Sequence, residues 1–216
     1  MESIFKVFLV LHIAGGTLGI LAGTFIMFSK KGDKLHKTIG KIFAYSMLGA
    51  GFCSLILASI HRNDFLFAIG IFTIFMSGTG WRYIYLKKIA DGQKPIWIDW
   101  LLFGFMILFG ILLIGMGIYS VIQSKYFGIV SAGFGYVGIK MAMKDYKTYK
   151  GKLEEKNYWK LSHLQRMIGA YIASITAFLV VNSPESFGFL QWILPSVIIV
   201  PFIFKWSNKY RIKLAS

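Results

Sequence analysis

Seven long apolar runs alternate with short polar segments along the 216-residue chain. Each run is apolar at nearly every position, whereas the strands of a membrane barrel would alternate in polarity. About 20 apolar residues are enough for a helix to cross the hydrocarbon core of a bilayer. We therefore predict an all-α integral membrane protein, a seven-helix bundle in a single transmembrane domain of residues 1–216. The predicted helices cover residues 4–28, 42–60, 65–86, 96–122, 127–143, 161–181 and 187–206.

The basic residues fall into alternate gaps between these runs. If the N-terminus is outside, 21 of the 24 lysines and arginines lie on the inner side, and only Lys6, Arg62 and Lys125 lie outside. Cytoplasmic loops carry such an excess of positive charge. The fifth run is rich in glycine and contains Lys140, but removing it would destroy the asymmetry. The pattern predicts an N-terminus outside and a C-terminus inside, in the inner (plasma) membrane.

Composition narrows the classes of function. Hydrophobic residues make up 56% of the chain and charged residues 15%, against about 25% charged in a soluble domain. The net charge of +15 lies in short gaps rather than on a folded polar surface, so nucleic acid is not an expected partner. The single cysteine, Cys53, excludes a disulfide framework. Motifs of hydrolases, kinases and nucleotide-binding proteins are absent, which leaves enzymatic activity open, a redox role included.

Histidines within membrane segments are candidates for a functional site. His12 and His61 belong to the outer parts of the first two helices, which a short loop makes antiparallel neighbours. Gly16 and Gly19 thin the first helix beside His12, as close approach of a porphyrin requires. Neutral imidazole is a common iron ligand. We therefore expect His12 and His61 to bind a b-type haem for electron transfer, with Gly16 and Gly19 lining the cofactor site.

Two other histidines belong to the inner side. His36 opens the second helix and His163 opens the sixth, and both are alternative metal ligands. The competing interpretation places them among lysines, where they meet lipid head groups. A zinc site of His12, His61 and Asp64 is a further alternative, although no H-E-x-x-H motif supports it.

A lipid site is predicted on the sixth helix. Trp159, His163 and Arg166 share one face by their i, i+4, i+7 spacing, and such a basic, aromatic patch suits an anionic head group. The competing interpretation is an interfacial anchor. Asp99 is expected to pair with Arg82 or Arg166. The basic inner loops should also attract anionic lipids, so a non-enzymatic carrier or binding protein for a lipid or small molecule is the second class of function. An accessory membrane subunit is the third.

Two segments resemble a known family. The first reads His12-x-x-Gly15, then Gly19 and Gly23, then Leu35-His36-Lys37-x-x-Gly40-Lys41, and the second reads Trp159-x-x-x-His163-x-x-Arg166-Met167. They resemble prokaryotic multi-pass predicted membrane proteins of unknown function, in which the first pattern is His-x-x-Gly followed by Leu-His-Arg-x-x-Gly-Arg. This chain has lysine at both arginine positions. The resemblance implies a bacterial multi-pass protein without an established activity, and it indicates His12, His36, His163 and Arg166 as positions to test.

Overall fold

A computed structural model describes residues 2–125, 128–153, 155–184, 187 and 190–212, without the side chains of Asp64 and Phe65. Seven α-helices lie within this part of the chain, as the apolar runs predict, and no strand occurs there. Their bounds are α1 (Glu2–Phe28), α2 (Lys34–Ile60), α3 (Asp64–Tyr83), α4 (Trp97–Ile122), α5 (Gly128–Tyr149), α6 (Tyr158–Asn182) and α7 (Leu190–Tyr210). Phe127, where the fifth helix is predicted to begin, lies outside the described residues.

Helix ends differ from the prediction where polar residues continue a helix. α2 begins eight residues before the apolar run because Asp33 caps it, with its carboxylate accepting from the backbone N–H of His36 at 2.7 Å. α5 likewise continues past Met143 to Tyr149. Apolar runs mark only the part of a helix that suits hydrocarbon, so the polar turns at the ends are missed.

α3 is the central helix of the bundle. It contacts α2, α4, α5 and α6, and Ala68, Ile71, Phe75 and Ser77 are fully buried on it. Protein therefore surrounds much of this helix, which explains how it carries buried hydroxyl groups.

Five helices in the described part of the chain are long and apolar enough to cross a membrane, namely α1, α2, α4, α6 and α7. The exceptions are the central α3 and α5, which carries four charged residues. Only 6% of the most apolar stretch of α1 is buried. An apolar helix so exposed needs apolar surroundings, and a bilayer supplies them.

The basic connections gather at one end of the bundle, here called the basic end: residues 29–33, 84–96, 150–153 and 155–157, with residues 211–212. Nζ of Lys31 donates to the carbonyl of Met27 at 2.8 Å and lies 4.8 Å from the ring centroid of Trp206, near the end of α7. Nζ of Lys87 lies 5.6 Å from the ring centroid of Trp159, at the start of α6. The basic gaps of the sequence therefore lie together at one end of the folded molecule. Which side of a membrane it faces stays a prediction.

α4 and α5 touch through their backbones. A Cβ atom built on Gly117 would lie 2.5 Å from the carbonyl oxygen of Gly128 and 2.7 Å from the backbone nitrogen of Ala132. Gly110 and Gly135 meet in the same way two turns further along. Because packing drives helix association in lipid, such close approach stabilises the α4–α5 pair.

We expect Gly117→Ala to destabilise the protein, because the new methyl group meets backbone atoms that cannot rotate away. Overpacking of this kind costs about 1–3 kcal/mol. Gly115→Ala is the matched control on the same helix, since nothing lies within 4 Å of a Cβ there. Unfolding in detergent, followed by circular dichroism, should show a lower stability for Gly117→Ala alone. Equal stability of the two variants would contradict the backbone contact.

Candidate functional site

Arg166 of α6 is the centre of a buried polar network. Its Nη2 donates to Oδ1 of Asp145 at 2.7 Å, and its Nη1 donates to Oγ1 of Thr79 at 2.6 Å. The hydroxyl of Tyr83 donates to the same Oδ1 at 2.5 Å. The guanidinium carbon lies 4.7 Å from the ring centroid of Phe75, in cation–π geometry. Residues of α3, α5 and α6 therefore meet at one charge pair.

The network is enclosed by protein. Asp145 and Tyr83 are fully buried and Arg166 is 3% exposed. Removing both charges from water costs several kcal/mol per ion, which the short contacts must offset. Oδ2 of Asp145 has no hydrogen-bond partner within the described part of the chain. The pair thus retains one acceptor that the surrounding helices do not use.

A second pair joins the end of α3 to the start of α4. Nε and Nη2 of Arg82 donate to the two carboxylate oxygens of Asp99 at 2.8 and 3.0 Å, and Asp99 is fully buried. The backbone N–H of Ile96 also donates to Oδ2 of Asp99 at 2.8 Å. One carboxylate therefore caps α4 and holds α3. The expected pairing of Asp99 is confirmed with Arg82 rather than Arg166, because Asp145 occupies Arg166.

The structure separates the three residues of the predicted lipid patch. Arg166 lies inside the bundle with its guanidinium committed to Asp145 and Thr79. Nδ1 of His163 donates to the carbonyl of Gly80 at 2.8 Å. Trp159 is half-buried beneath Lys87. We do not retain Arg166 as a lipid contact, since a head group at the surface does not reach it.

His36 lies in the first turn of α2, and His163 lies in the second turn of α6. Nδ1 of His36 is buried without a hydrogen-bond partner among the described residues. Burial lowers the pKa of the Lys31 ammonium, which lies outside the membrane-spanning helices. Metal binding by His36 and His163 stays a prediction.

His12 and His61 lie at different levels of the α1–α2 pair. Nδ1 of His12 donates to the carbonyl of Ala50 at 2.9 Å, whereas the ring of His61 packs edge-on against Phe5 at 4.4 Å. Phe5 precedes His12 by seven residues, which is about 10 Å along a helix at ~1.5 Å per residue. The two imidazoles therefore do not face each other across one iron-sized gap. Haem ligation by this pair stays a prediction that requires α1 and α2 to shift.

The glycines beside His12 are used for helix packing. A Cβ on Gly19 would lie 2.5 Å from Sδ of Met47 in α2, so the neighbouring helix already fills that space. Gly16 has nothing within 4 Å of the corresponding position and faces away from α2. Gly15, rather than Gly16, belongs to the contact with α2, because a Cβ atom on Gly15 would lie 3.3 Å from the carbonyl oxygen of Ser46. In this arrangement the α1–α2 contact leaves no slot for a porphyrin.

The described residues contain no group of three or more histidine, cysteine, aspartate or glutamate side chains placed to hold a metal ion. Cys53 is buried and free. The side chain of Asp64, the third ligand of the alternative zinc site, lies outside the described part of the chain. The alternative zinc site stays a prediction.

A pocket at the basic end was not anticipated from the sequence. It has a volume of about 30 Å³ and lies between the last turns of α5 and the segment that leads into α6. Its lining residues are Lys144, Lys147, Thr148, Lys152, Glu155 and Tyr158. Glu155 is 8% exposed, and its Oε2 has no hydrogen-bond partner in the described part of the chain. Three lysines and one buried carboxylate therefore line the same pocket.

Asp145, Tyr83 and Glu155 are the residues that the sequence analysis missed. The signal for Asp145 was an acidic residue in a membrane helix otherwise charged only by lysines, which is a functional candidate by default. Glu155 lies in a polar segment where nothing distinguishes it from a solvated carboxylate. Its burial follows from the fold alone.

Neither a family model, nor a curated protein, nor a solved structure matches this chain. The resemblance to prokaryotic multi-pass proteins therefore stays an expectation from its motifs.

We expect Asp145→Asn to destabilise the protein strongly, because Arg166 would remain charged and buried without its counter-ion. Breaking one side of a buried pair costs about 3–5 kcal/mol. Glu2→Gln is the control, since it removes a carboxylate from the exposed Lys6–Glu2 pair and should change stability little. Thermal unfolding in detergent at constant pH measures both. Comparable effects of the two substitutions would show that the Arg166 charge is not held by Asp145.

Proposed function

We propose that this protein is a non-enzymatic membrane protein that binds anionic lipid through its basic end. The observation that carries the proposal is the convergence of Lys144, Lys147 and Lys152 on one pocket. Lysine side chains close to a membrane surface each contribute about 1 kcal/mol of attraction to anionic lipid. The proposal moves the lipid site from the predicted patch on α6 to the end of α5.

Aromatic rings beneath other lysines support an interfacial role for this end. Nζ of Lys150 lies 5.8 Å from the ring centroid of Trp100, and Nζ of Lys160 lies 4.2 Å from that of Tyr210. Tryptophan and tyrosine concentrate at the level of lipid head groups. Lysines above such rings are held at the depth where phosphates lie.

The same charge distribution supports an orientation. We propose that the basic end faces the cytoplasm and that the membrane is the inner (plasma) membrane of a bacterial cell, as the positive-inside rule favours. The opposite end then carries the N-terminus and the connection that includes Lys125.

Haem binding is the competing proposal. One observation favours it, because the bond from Nδ1 of His12 to Ala50 leaves Nε2 as the free, basic nitrogen that ligates iron. The filled α1–α2 contact opposes it. An absorption spectrum of the purified protein separates the two proposals, since only a haem protein shows a Soret band that shifts on reduction.

For the orientation, we expect a cysteine at position 150, in a background without Cys53, to resist a membrane-impermeant maleimide in intact cells. A cysteine at position 125 should react, because Lys125 is exposed at the opposite end. Permeabilised cells should allow both reactions. Reaction of position 150, but not of position 125, in intact cells would reverse the orientation.

For the lipid site, we expect Lys144→Gln/Lys147→Gln/Lys152→Gln to retain less lipid than the wild type in native mass spectrometry after mixing with anionic and neutral lipids. Because these three lysines line one pocket and would act on the same head group, removing them should weaken binding by at least about tenfold and by more than the control does. The control is Lys88→Gln/Lys94→Gln/Lys209→Gln, which removes the same charge from the same end but outside the pocket. Equal losses in the two triple variants would leave only non-specific attraction and would refute a site.

A further inference from the structure

His12 presents an unused hydrogen-bond acceptor to the surroundings of α1. Its Nδ1 donates to the carbonyl of Ala50 at 2.9 Å, since a carbonyl oxygen can only accept. The proton of the neutral imidazole is therefore on Nδ1, which leaves Nε2 as an acceptor. Nε2 has no partner in the described part of the chain and, unlike Nδ1 of His36, it is not enclosed by protein. A ligand can therefore reach this nitrogen from outside the bundle.

The acceptor lies at hydrocarbon depth. Glu2 and Lys6 form an exposed ion pair at the start of α1 and mark its polar end. His12 follows Lys6 by six residues, which is about 9 Å along a helix. The flanking Leu11 and Ile13 are both more than half exposed, as side chains in contact with acyl chains are. Water and lipid head groups supply no donor at this level, and an unpaired acceptor there is costly.

Open space adjoins His12 on the same face of α1. Gly16 follows His12 by one turn, and residues four apart in a helix lie one above the other. No neighbouring atom lies within 4 Å of a Cβ built on Gly16. Because Gly16 has no side chain, a flat group can lie against the helix backbone beside the imidazole. A porphyrin needs a slot between α1 and α2, whereas a single ring needs only this surface.

The acceptor and its depth select the chemistry of a ligand. The ligand must donate a hydrogen bond to Nε2 of His12, and it must be uncharged to remain in hydrocarbon. A phenolic hydroxyl is a neutral donor of this kind. Quinols, the reduced forms of membrane quinones, combine phenolic hydroxyls with a flat ring and an apolar tail. The ring of the oxidised quinone carries only carbonyl acceptors, so it offers Nε2 no proton.

We propose that His12 and Gly16 form a binding site for lipid-soluble phenols of the quinol class. The phenolic hydroxyl donates to Nε2 of His12, and the ring lies against Gly16. The site is distant from the basic end, because His12 precedes Phe28, the last residue of α1, by sixteen residues or about 24 Å. It therefore does not depend on the lipid-binding function proposed for that end.

The first test compares the binding of decylubiquinol and oxidised decylubiquinone to the protein in lipid nanodiscs, with empty nanodiscs as the reference. The wild type should bind the quinol more tightly. His12→Phe keeps a ring but removes the acceptor, so it should lose about tenfold in affinity for the quinol, the effect of one hydrogen bond. Thr17→Val is the matched control, because it removes an exposed hydroxyl from the same helix. Equal binding of the two redox forms by the wild type, or an unchanged affinity in His12→Phe, refutes the inference.

A spectroscopic measurement reports on Nε2 without a substitution. In protein with isotope-labelled histidine, nuclear magnetic resonance should show Nε2 of His12 as the unprotonated nitrogen. Its resonance should shift when the quinol is added and stay in place when the quinone is added. A protonated Nε2, or a resonance that the quinol leaves unchanged, overturns the inference even if His12→Phe does not fold.

A third variant locates the ring. Gly16→Leu covers the open surface but leaves the bond between His12 and Ala50, so it should weaken binding of the quinol. Gly115→Leu is the matched control, because it covers an equally open surface on α4. Equal affinities of these two variants would refute a ring position beside Gly16.

Competition identifies the source of the hydroxyl. Displacement of the quinol by para-decylphenol, but not by decylbenzene, supports recognition of a phenolic hydroxyl. Displacement by both compounds to the same extent refutes a role for the hydroxyl. Tighter binding of the quinol than of the phenol assigns the site to quinols, and equal binding assigns it to lipid-soluble phenols in general.

Discussion

The contact between Arg166 and Asp145 joins the parts of this bundle. A guanidinium and a carboxylate that are both enclosed by protein can be accommodated only if each has the other at close range. This requirement fixes α6 against α5, and the hydroxyls of Thr79 and Tyr83 bring the central α3 into the same arrangement. Apolar packing in a bilayer gives little preference between one helix face and another. The charge pair therefore determines which faces of α5 and α6 point into the bundle, which apolar contacts alone would not.

α5 divides its polar residues between two environments. Asp145 and Thr148 face the interior, whereas Lys144 and Lys147 are exposed. The same two turns thus anchor the helix and present lysines at the pocket. Because Asp145 fixes the rotation of α5 about its axis, it also determines where those lysines point. The buried network and the proposed lipid site therefore lie on opposite faces of α5.

Much of the fold followed from the sequence, because apolar runs and basic gaps are direct signals of membrane helices and their connections. The contact partners of individual side chains could not be predicted from the sequence. The spacing of Trp159, His163 and Arg166 gives a shared face, but it does not tell whether that face meets lipid or α3 and α5. Glycine spacing had the same limit, since Gly15 packs against α2 and the adjacent Gly16 does not. The surroundings of Glu155 could not be predicted either, because they include Arg211 and Ile212, which are remote in sequence.

The position of Arg166 along the chain has a consequence for biosynthesis. Asp145 leaves the ribosome 21 residues before its counter-ion, an interval of about 1–4 s at ~5–20 residues per second. The glycine contacts allow α4 and α5 to pair during that interval, but they offer Asp145 no positive partner. Its carboxylate then stays at the aqueous boundary, beside the exposed Lys144 and Lys147. We therefore expect Asp145 to enter the closed bundle only when α6 brings Arg166 to it.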